Sequence, residues 1–490
     1  MSETAIEFRN IAKSFGPVKA NHNISFAVPR GSIHAIVGEN GAGKSTAMKI
    51  LFGLYQPDEG RFFIRGKEVQ FNSPMDAMAE GVGMVHQHFM LAGSLTALDN
   101  ILLMQKGSPF QRLPRKEQKQ KLEELAKRYG MILNLESKVE DLSVGEQQRL
   151  EILKILSQDS EIIILDEPTA VLTPQEVQDL FKNLRLLKAE GKTILIITHK
   201  LKEVIAISDN VTVFRTGTVV ANRKTAEVQS DSLAELMVGR LLQKNEERKT
   251  AIDDKVLLSL TNVSANIGNR KLQNVNLQIR AKEIVGVAGV EGNGQDVLMR
   301  VLLDRHSLKK GCWSGDIQQK GSLESFPEDR LRFGVLPTKT AVENFILGHH
   351  RRTPFYKNGF ISDSAALAET EKAMKEFDVR PLKPRQTFSQ FSGGNQQKLV
   401  VARALWPNPD IVIAAQPTRG VDIGAIEFIH GKLRAQRDQG SGVLLISSEL
   451  DELMTLADRI VVIYHGELIK EFTRAEFNEI ALGAAMGGCR

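Results

Sequence analysis

The chain has 490 residues, of which 42% are hydrophobic, 25% charged and 6% aromatic, and this length predicts two or more domains. Its net charge of +5, from 64 basic and 59 acidic residues, gives no indication of nucleic-acid binding by bulk electrostatics. Two cysteines exclude a disulfide framework and favour a reducing cytosol. The start, MSETAIEFRN, lacks signal-peptide features, and no apolar run reaches the ~20 residues that span a bilayer. We therefore expect any membrane role to depend on a partner.

In chain order, short β-branched strands alternate with helical patterns, which favours an α/β fold with a mostly parallel sheet. The strand-like runs of the first half are HAIVG, IIILD, TILIIT and VTVF. Between Phe89 and Gln158 the pattern becomes helical, and RKEQKQKLEELAKRYG (115–130) is basic and amphipathic. We interpret that segment as the solvated face of a helical subdomain, with a partner surface as the alternative.

The chain contains the same series of blocks twice, which indicates a tandem duplication. The matched blocks are IHAIVGENGAGKST with IVGVAGVEGNGQD, DLSVGEQQRLEILKIL with QFSGGNQQKLVVARAL, IIILDEPTAVL with IVIAAQPTRGV, and ILIITHKLKEV with LLISSELDELM. The charged stretch LQKNEERKTAIDDK (242–255) has no apolar period. We predict that it is an exposed linker between a first domain, 1–241, and a second domain, 256–490.

The stretch GENGAGKST (38–46) matches the full phosphate-binding loop pattern between a predicted strand and a predicted helix. Gly41 and Gly43 would let backbone amides face the phosphates, and the helix beginning near Lys44 would direct its positive end at them. Lys44 is expected to reach the β- and γ-phosphates, and Ser45 to offer a hydroxyl to Mg²⁺. A glycine turn in a plain helix cap is the alternative.

A second chemical signal is IIILDE (162–167), which predicts a buried strand that delivers two carboxylates at its C-terminal end. Ligands bind at that end of such sheets. Asp166 is expected to hold the Mg²⁺ shell, and Glu167 to be the general base that polarises the attacking water. Taken alone, a strand that ends in Asp-Glu could also be a helix-start cap.

Together these motifs resemble the ATPase subunits of ABC transporters, over nearly the whole chain. LSVGEQQ (142–148) resembles the family's signature loop, Gln87 in GMVHQHFML its Q-loop glutamine, His199 after ILIIT its switch histidine, and Phe15 in KSFG its adenine-stacking aromatic. The resemblance implies two ABC domains, each with a RecA-like sheet core, an antiparallel β part and a helical subdomain. It also implies ATP and Mg²⁺ as cofactors.

The resemblance assigns roles to residues of this chain. The catalytic residues it implies are Glu167, His199, Gln87 and Asp422. The Mg²⁺ ligands are Ser45, Gln87 and Asp166. The residues that bind ATP are Phe15, Gly38, Asn40, Gly41, Gly43, Lys44, Ser45, Thr46, Ser392, Gly393 and Gly394.

The second half departs from the family's pattern where the chemistry would occur. Its substitutions are Gln295 for the lysine, Asp296 for the serine, Ala415 for the magnesium aspartate, Gln416 for the base, Ser448 for the histidine and Glu328 for the Q-loop glutamine. In this family each ATP lies between one domain's phosphate loop and the other domain's signature loop. We therefore predict one hydrolytic site, from the first half's motifs with Ser392, Gly393, Gly394 and Asp422. The other site, which faces Val144, is predicted not to hydrolyse ATP, since Asp296 would repel a triphosphate. Weak nucleotide binding there stays open.

FSGGNQQK and PTRGVD resemble the tandem ATPases of simple-sugar importers, and GVEGNGQ with AAQPTRGVDIGAIEFIH resembles the nucleoside-importer branch. The resemblance implies ATP-driven uptake of a small polar solute, with nucleoside or purine ahead of a simple sugar. It implies two integral-membrane permease subunits, which we expect to be non-identical, and an extracytoplasmic solute-binding lipoprotein of the basic-membrane-protein type. The chain would lie peripherally on the cytoplasmic face of the inner membrane.

The alternative is a soluble tandem ABC ATPase that acts on the ribosome or on nucleic acid. Such proteins usually keep both sites and carry a long basic linker, whereas here one site has lost its chemistry and the linker is short and mixed in charge. Nucleic acid is therefore not expected as a partner. A pure interaction scaffold conflicts with the complete first site.

We expect each permease to dock beside a Q-loop, in two different grooves. In the first domain Phe89, Met90 and Leu91 would supply apolar contact. In the second, which follows PEDRLRFGVLPTKTAVEN (327–344), Arg330 and Arg332 would form a polar rim. The alternative is that these residues only cover the local core.

Overall fold

The computed structural model describes residues 3–16, 18–39, 41–87, 89–104, 115–170, 172–238, 251–268, 270–290, 292–309, 311–357 and 359–489. Contacts divide the chain into two compact units, Met1–Gln243 and Lys244–Arg490. Of the predicted linker, only 251–255 is described, and it is exposed and irregular. The boundaries 1–241, 242–255 and 256–490 stay a prediction.

Unit 1 contains ten strands and eight α-helices within its described residues. The strands are β1 (Thr4–Phe15), β2 (Val18–Pro29), β3 (Ile33–Gly38), β4 (Glu59–Ile64), β5 (Lys67–Val69), β6 (Val82–Val85), β7 (Ile162–Asp166), β8 (Thr193–Ile197), β9 (Asn210–Arg215) and β10 (Thr218–Lys224). The helices are α1 (Lys44–Leu51), α2 (Pro74–Ala79), α3 (Ala97–Leu102), α4 (Arg115–Arg128), α5 (Val144–Leu156), α6 (Pro174–Ala189), α7 (Leu201–Ile207) and α8 (Ser230–Val238).

The core of unit 1 is a six-stranded sheet in the order β10-β9-β3-β8-β7-β6. It is parallel except for β10, which pairs antiparallel with β9. A separate antiparallel sheet has the order β2-β1-β4-β5. The parallel core confirms the prediction from the alternation of strands and helices.

The run IIIL is continuously apolar because both faces of β7 are covered. Ile162 and Ile164 pack in the cluster that contains the antiparallel sheet and α1. Ile163 and Leu165 pack in the opposite cluster, with the helical part. The alternation of strand side chains thus divides one sequence run between two cores.

Unit 2 repeats this plan with eleven strands and seven α-helices within its described residues. The strands are β11 (Val256–Ile267), β12 (Arg270–Arg280), β13 (Ile284–Ala288), β14 (Trp313–Gln319), β15 (Leu323–Phe326), β16 (Tyr356–Lys357), β17 (Phe360–Ile361), β18 (Ile411–Ala415), β19 (Gly442–Ser447), β20 (Arg459–Tyr464) and β21 (Glu467–Thr473). The helices are α9 (Gln295–Asp304), α10 (Ala341–Phe345), α11 (Asp363–Glu376), α12 (Gly393–Leu405), α13 (Ile423–Asp438), α14 (Leu450–Leu456) and α15 (Glu479–Met486).

Its sheet has the order β15-β18-β19-β13-β20-β21, the same topology as in unit 1, and its antiparallel sheet is β12-β11-β14. Helices α3–α5 and α10–α12 form the helical parts of the two units. The fold class is confirmed: each unit has a mostly parallel sheet core, an antiparallel β part and a helical subdomain. In the described part of the chain, none of the helices combines the length and the apolar character needed to cross a bilayer.

Candidate functional site

The phosphate-binding loop of unit 1 joins β3 to α1, as predicted. Lys44, the first residue of α1, is buried, and its Nζ donates to the carbonyl oxygens of Gly38 at 2.7 Å and Glu39 at 2.9 Å. Burial lowers the pKa of Lys44, while the carboxylates of Glu167, Asp166 and Glu39 act in the opposite direction. The Lys44 ammonium thus ties together the carbonyls of the loop. It lies at a helix N-terminus, whose first backbone amides have no partner within the helix.

Gly43 is required by close packing. Its φ is 94°, and a Cβ there would lie 2.3 Å from both the Ala20 carbonyl oxygen and the Asn21 Nδ2. Asn21, which is buried in β2, donates from Nδ2 to the Gly43 carbonyl at 3.0 Å. The sequence interpretation missed Asn21 as a support of the loop. An amide at an inward position of a strand was the available signal.

Asp166 and Ser45 come together, as a shared Mg²⁺ role requires. Ser45 Oγ donates to Asp166 Oδ1 at 3.4 Å, and Asp166 ends β7 with little exposure. Burial raises the pKa of Asp166, and the neighbouring charge of Glu167 adds to that rise. The carboxylate therefore lies where a cation would stabilise its ionised form.

Glu167 is held from two sides. Gln87 Nε2 donates to its Oε2 at 3.0 Å, and His199 Nδ1 lies 3.1 Å from its Oε1. Burial acts to raise the pKa of Glu167, but the hydrogen bond and charge of His199, with Lys44 and Lys200, lower it overall. Its φ is 48°, a left-handed conformation that is uncommon for such a residue and costs about 1–3 kcal/mol. Such strain often marks a functional position.

The remaining predicted residues of unit 1 lie around this loop and differ in their exposure. Gly41 is exposed, and Ser45 and Thr46 are half-buried at the start of α1. Phe15, at the end of β1, is 42% exposed and contacts Tyr55 edge-on, with ring centres 5.1 Å apart. Its exposed face leaves room for the predicted stacking on a base. Asn40 lies outside the described residues.

Within unit 2, the four predicted residues of the signature region lie together. Ser392 precedes α12 and its Oγ accepts from Asn395 Nδ2 at 2.7 Å. Asp422 caps α13 by accepting from the Ala425 amide at 2.7 Å. A Cβ on Gly394 would lie 2.5 Å from Asp422 Oδ2, so the signature glycine is required for the approach of that carboxylate. The cap is a structural role of Asp422 that its predicted role did not include.

In the degenerate loop of unit 2, the two substituted side chains have partners within the unit. Gln295 begins α9 and donates from Nε2 to the Val290 carbonyl at 3.0 Å. Asp296 pairs with Arg270 of β12 at 2.9 Å. At the end of the neighbouring strands, Gln416 Nε2 donates to Ser448 Oγ at 3.2 Å. The charge that we expected to repel a triphosphate is therefore partly compensated by Arg270.

The predicted docking segments differ in exposure. In unit 1 Met90 is 67% exposed. In unit 2 Arg332 is exposed over the Phe333 ring, whereas Arg330 is half-buried and donates to the Arg419 carbonyl at 3.4 Å. The guanidinium of Arg330 turns toward Gln396 of α12, and the polar rim that we expect from Arg330 and Arg332 stays a prediction.

Glu328, two residues after β15 as Gln87 is two residues after β6, forms an ion pair with Arg419. Its place in the topology therefore agrees with its assignment as the Q-loop counterpart. Its carboxylate is engaged with the guanidinium of Arg419.

The residues of unit 1 fit a nucleotide and Mg²⁺. Lys44 and the amides of α1 suit phosphate oxygens. Ser45 and Asp166 would supply the small number of oxygen ligands with which proteins hold Mg²⁺ on a phosphate substrate. Gln87 and His199 leave Glu167 oriented at the edge of that space.

Comparison with known proteins agrees with this geometry. The family described as "ABC transporter" matches residues 21–170 and 272–419. The chain is 41% identical to the nucleoside import ATP-binding protein NupA of Lactococcus lactis, covering 95% of each chain. It is 41% identical to the guanosine import ATP-binding protein NupO of Bacillus subtilis, over 99% of this chain and 98% of that one. It is 39% identical to the glucose import ATP-binding protein TsgD13 of Haloferax volcanii, over 99% and 96%.

Among solved structures, the archaeal ribosome recycling factor aABCE1, in complex with the stalk protein aP1, is similar with a TM-score of 0.66 and 19% identity. The similarity covers 98% of this chain and 92% of that one. At this identity the likeness extends to the fold alone.

Proposed function

The chain belongs to the ABC transporter family, and we propose that it is the ATP-hydrolysing subunit of an importer for nucleosides. Its ATPase domains bind ATP, as the family does. The observation that carries the hydrolytic role is Glu167, held between Gln87 and His199 beside Asp166 and Lys44. The relatives named for nucleoside and guanosine import support the solute class, and the relative named for glucose import keeps a simple sugar as the second candidate.

In this proposal Lys44 and the N-terminal amides of α1 bind the β- and γ-phosphates. Glu167, which its lowered pKa keeps ionised at neutral pH, accepts the proton of the attacking water at a carboxylate oxygen. Gln87 and His199 orient that carboxylate. Ser45, Asp166 and Gln87 would hold Mg²⁺, which would supply positive charge to neutralise the phosphate oxygens. Phe15 stacks on the adenine, and Gly38, Asn40, Gly41, Gly43 and Thr46 complete the binding loop.

We further propose that unit 2 contributes recognition in place of hydrolysis. Ser392, Gly393 and Gly394 would act on the nucleotide that Lys44 holds, and Asp422 would support the attacking water. This assignment rests on the family's arrangement and on the opposite chemistry of the two loops. Hydrolysis needs a phosphate-binding cation, magnesium ligands, a general base and a switch histidine. Unit 2 has other residues at these positions: Gln295, Asp296, Ala415, Gln416 and Ser448.

The proposed partners are two non-identical permease subunits and an extracytoplasmic solute-binding lipoprotein of the basic-membrane-protein type, with this chain peripheral on the cytoplasmic face of the membrane. Met90 is exposed in one predicted docking segment, and Leu331 and Phe333 are exposed in the other. The two segments present different side chains, which suits two different permeases.

The test is ATP hydrolysis by the chain reconstituted with the permeases encoded beside its gene and with the loaded lipoprotein. Nucleosides should stimulate hydrolysis more than ribose, galactose or glucose. Stimulation by sugars alone would replace nucleosides with simple sugars as the transported solute. A chain that copurifies with ribosomes and never with permeases would overturn the importer function in favour of the ribosomal alternative.

A further inference from the structure

The backbone of Met90 is held by a buried ion pair of α5. The Met90 amide donates to Glu151 Oε1 at 2.7 Å, and Lys154 Nζ donates to the Met90 carbonyl at 3.0 Å. Glu151 and Lys154 also pair with each other at 2.7 Å, with side chains 4% and 8% exposed. The charges of Glu151 and Lys154 are thus removed from water. One contacts the backbone N–H of Met90 and the other its C=O, while Met90 itself is exposed.

A buried ion pair is seldom a gain in stability over apolar residues of similar volume, because its desolvation offsets the attraction. A structural role alone therefore explains this pair poorly. The pair does, however, match the polarity of its target: the carboxylate meets the N–H and the ammonium meets the C=O. This matching fixes residue 90 relative to α5 in position and in orientation.

The other end of the same short segment is attached to the sheet core. Gln87, three residues before Met90, bonds to Glu167 directly after β7. A chain of three residues spans at most about 10 Å and cannot stretch further. The segment therefore connects α5, which holds Met90, to Gln87 and Glu167 over no more than this length.

Unit 2 provides an internal comparison. Both units hold the end of the segment with a buried asparagine: Asn100 bonds to the amide and carbonyl of Ala92, and Asn344 to those of Leu336. At the positions of Glu151 and Lys154, however, unit 2 has Val400 and Arg403. Arg403 donates to the Asn344 carbonyl at 3.1 Å.

The start of the segment in unit 2 is supported differently. Asp329 accepts from the amides of Leu331 and Arg332, both at 3.1 Å. That unit has Gln416 where unit 1 has the base Glu167. The buried pair thus occurs in the unit that has chemistry to control.

From these contacts we propose that Glu151 and Lys154 are positioning residues that couple the docking segment 89–91 to Gln87 and Glu167, so that permease contact at Met90 sets the orientation of the base. The proposal rests on the proposed importer function. Neither residue touches ATP, and their effect is expected in the response to the permease and not in basal hydrolysis.

The test compares wild type with Glu151→Leu/Lys154→Met in the reconstituted transporter. The apolar pair keeps the volume but cannot hold Met90. We expect basal hydrolysis by the chain alone to stay unchanged, and the stimulation by loaded lipoprotein to fall about 5- to 20-fold. The charge swap Glu151→Lys/Lys154→Glu, which keeps a pair but reverses it against Met90, should lose the stimulation too.

Two further variants separate coupling from other effects. Glu117→Gln, which removes an exposed ion pair with Lys121 on α4, should leave the stimulation unchanged. Met90→Ala, which removes the contact side chain but keeps the backbone clamp, should weaken permease binding and lower the stimulation while basal hydrolysis stays unchanged. Hydrogen exchange of the peptide containing Met90 should accelerate in the apolar double variant, which reports loss of the clamp independently of activity.

An unchanged ratio of stimulated to basal hydrolysis in the double variant would overturn the proposal, and so would an equal loss of both rates, which marks a structural role. If the double variant does not fold, Lys154→Met, which removes the carbonyl contact together with the ion pair to Glu151, is judged by the same ratio. A wild-type complex that no solute stimulates would instead count against the importer function itself.

Discussion

The loops that join β3 to α1 and β13 to α9 have nearly the same backbone architecture and opposite chemistry. In the first, Lys44 directs its Nζ at the Gly38 and Glu39 carbonyls. In the second, Gln295 directs its amide at the Val290 carbonyl from the same first position of the helix. In both loops a side-chain donor at the first helical position supplies the hydrogen bond that a loop carbonyl needs. Only a cation satisfies the requirement of the phosphates.

The strand ends repeat this comparison. Glu167 and Gln416 both follow a buried strand with positive φ, 48° and 46°. Their amides donate to Ile197 and Ile446 across the sheet. The strained conformation has persisted in unit 2 although the carboxylate is gone. The backbone of this turn is therefore part of the fold, and its side chain can be changed without changing the turn.

The largest effect that would sharpen this comparison is expected from Glu167→Gln. Turnover should fall by about 10²–10⁴-fold because the proton acceptor is lost, while ATP affinity stays within a few-fold because Lys44 is intact. Steady-state hydrolysis and binding of a fluorescent nucleotide measure the two quantities. The matched variant Gln416→Glu should add no activity, and residual hydrolysis above a tenth of wild type in Glu167→Gln would remove Glu167 as the base.

The next largest effect separates the two signature loops. Ser392→Arg should abolish ATP hydrolysis, since the bulky cation would obstruct the surface proposed to act on ATP, and Ser143→Arg should cost much less. Stability should respond in the opposite order. Ser143 forms a capping box with Glu146, worth about 1 kcal/mol, whereas the Ser392 side chain makes no cap bond to α12.

Thermal unfolding of the two variants, measured beside their hydrolysis rates, tests this inverse order. Equal activity in the two variants would contradict the single-site proposal, whatever their stability.

A smaller effect is expected from repairing the second loop with Gln295→Lys/Asp296→Ser. The double variant regains a phosphate cation and removes the Arg270 ion pair, which is half-exposed and worth about 0–1 kcal/mol. Nucleotide bound per chain at saturation should rise toward two, without any rise in hydrolysis, because Ala415 and Gln416 remain. Equilibrium dialysis gives the stoichiometry. A gain in turnover would show that the first site is not the only one capable of hydrolysis.

Much of this organisation can be predicted from the sequence, because the phosphate loop, the strand that ends in Asp-Glu and the repeated blocks have local patterns. The continuously apolar sequence of β7 predicts that the strand is buried. Gly41 and Gly43 predict the positive φ angles of the phosphate loop. The Glu151–Lys154 clamp and the Asn21 support have no such pattern, since their partners, Met90 and Gly43, are backbone groups distant in the sequence. The inward turn of Arg330 has no local pattern either, since its partners, Gln396 and Arg419, are also distant in the sequence.

The smallest effect concerns the two adjacent carboxylates, whose substitution should shift stability in opposite directions. Because burial raises the pKa of Asp166, the folded chain binds that proton more tightly than the unfolded chain does. Ionised Asp166 therefore lowers the free energy of unfolding at every pH above its pKa in the folded chain. This loss vanishes below its pKa in the unfolded chain, about 3.9. Asp166→Asn should raise the melting temperature of the nucleotide-free chain at neutral pH, and the gain should disappear in acid.

Glu167 behaves in the opposite way. Although burial acts to raise its pKa, His199 and the nearby lysines lower it, so its ionised form stabilises the fold above the unfolded value of about 4.3. That contribution is lost as the pH falls through the lowered folded pKa. Glu167→Gln should therefore lower the melting temperature at neutral pH, where Asp166→Asn raises it. Scanning calorimetry of both variants between neutral and acid pH measures the two signs, and shifts in the same direction would contradict the electrostatic assignment of this pair.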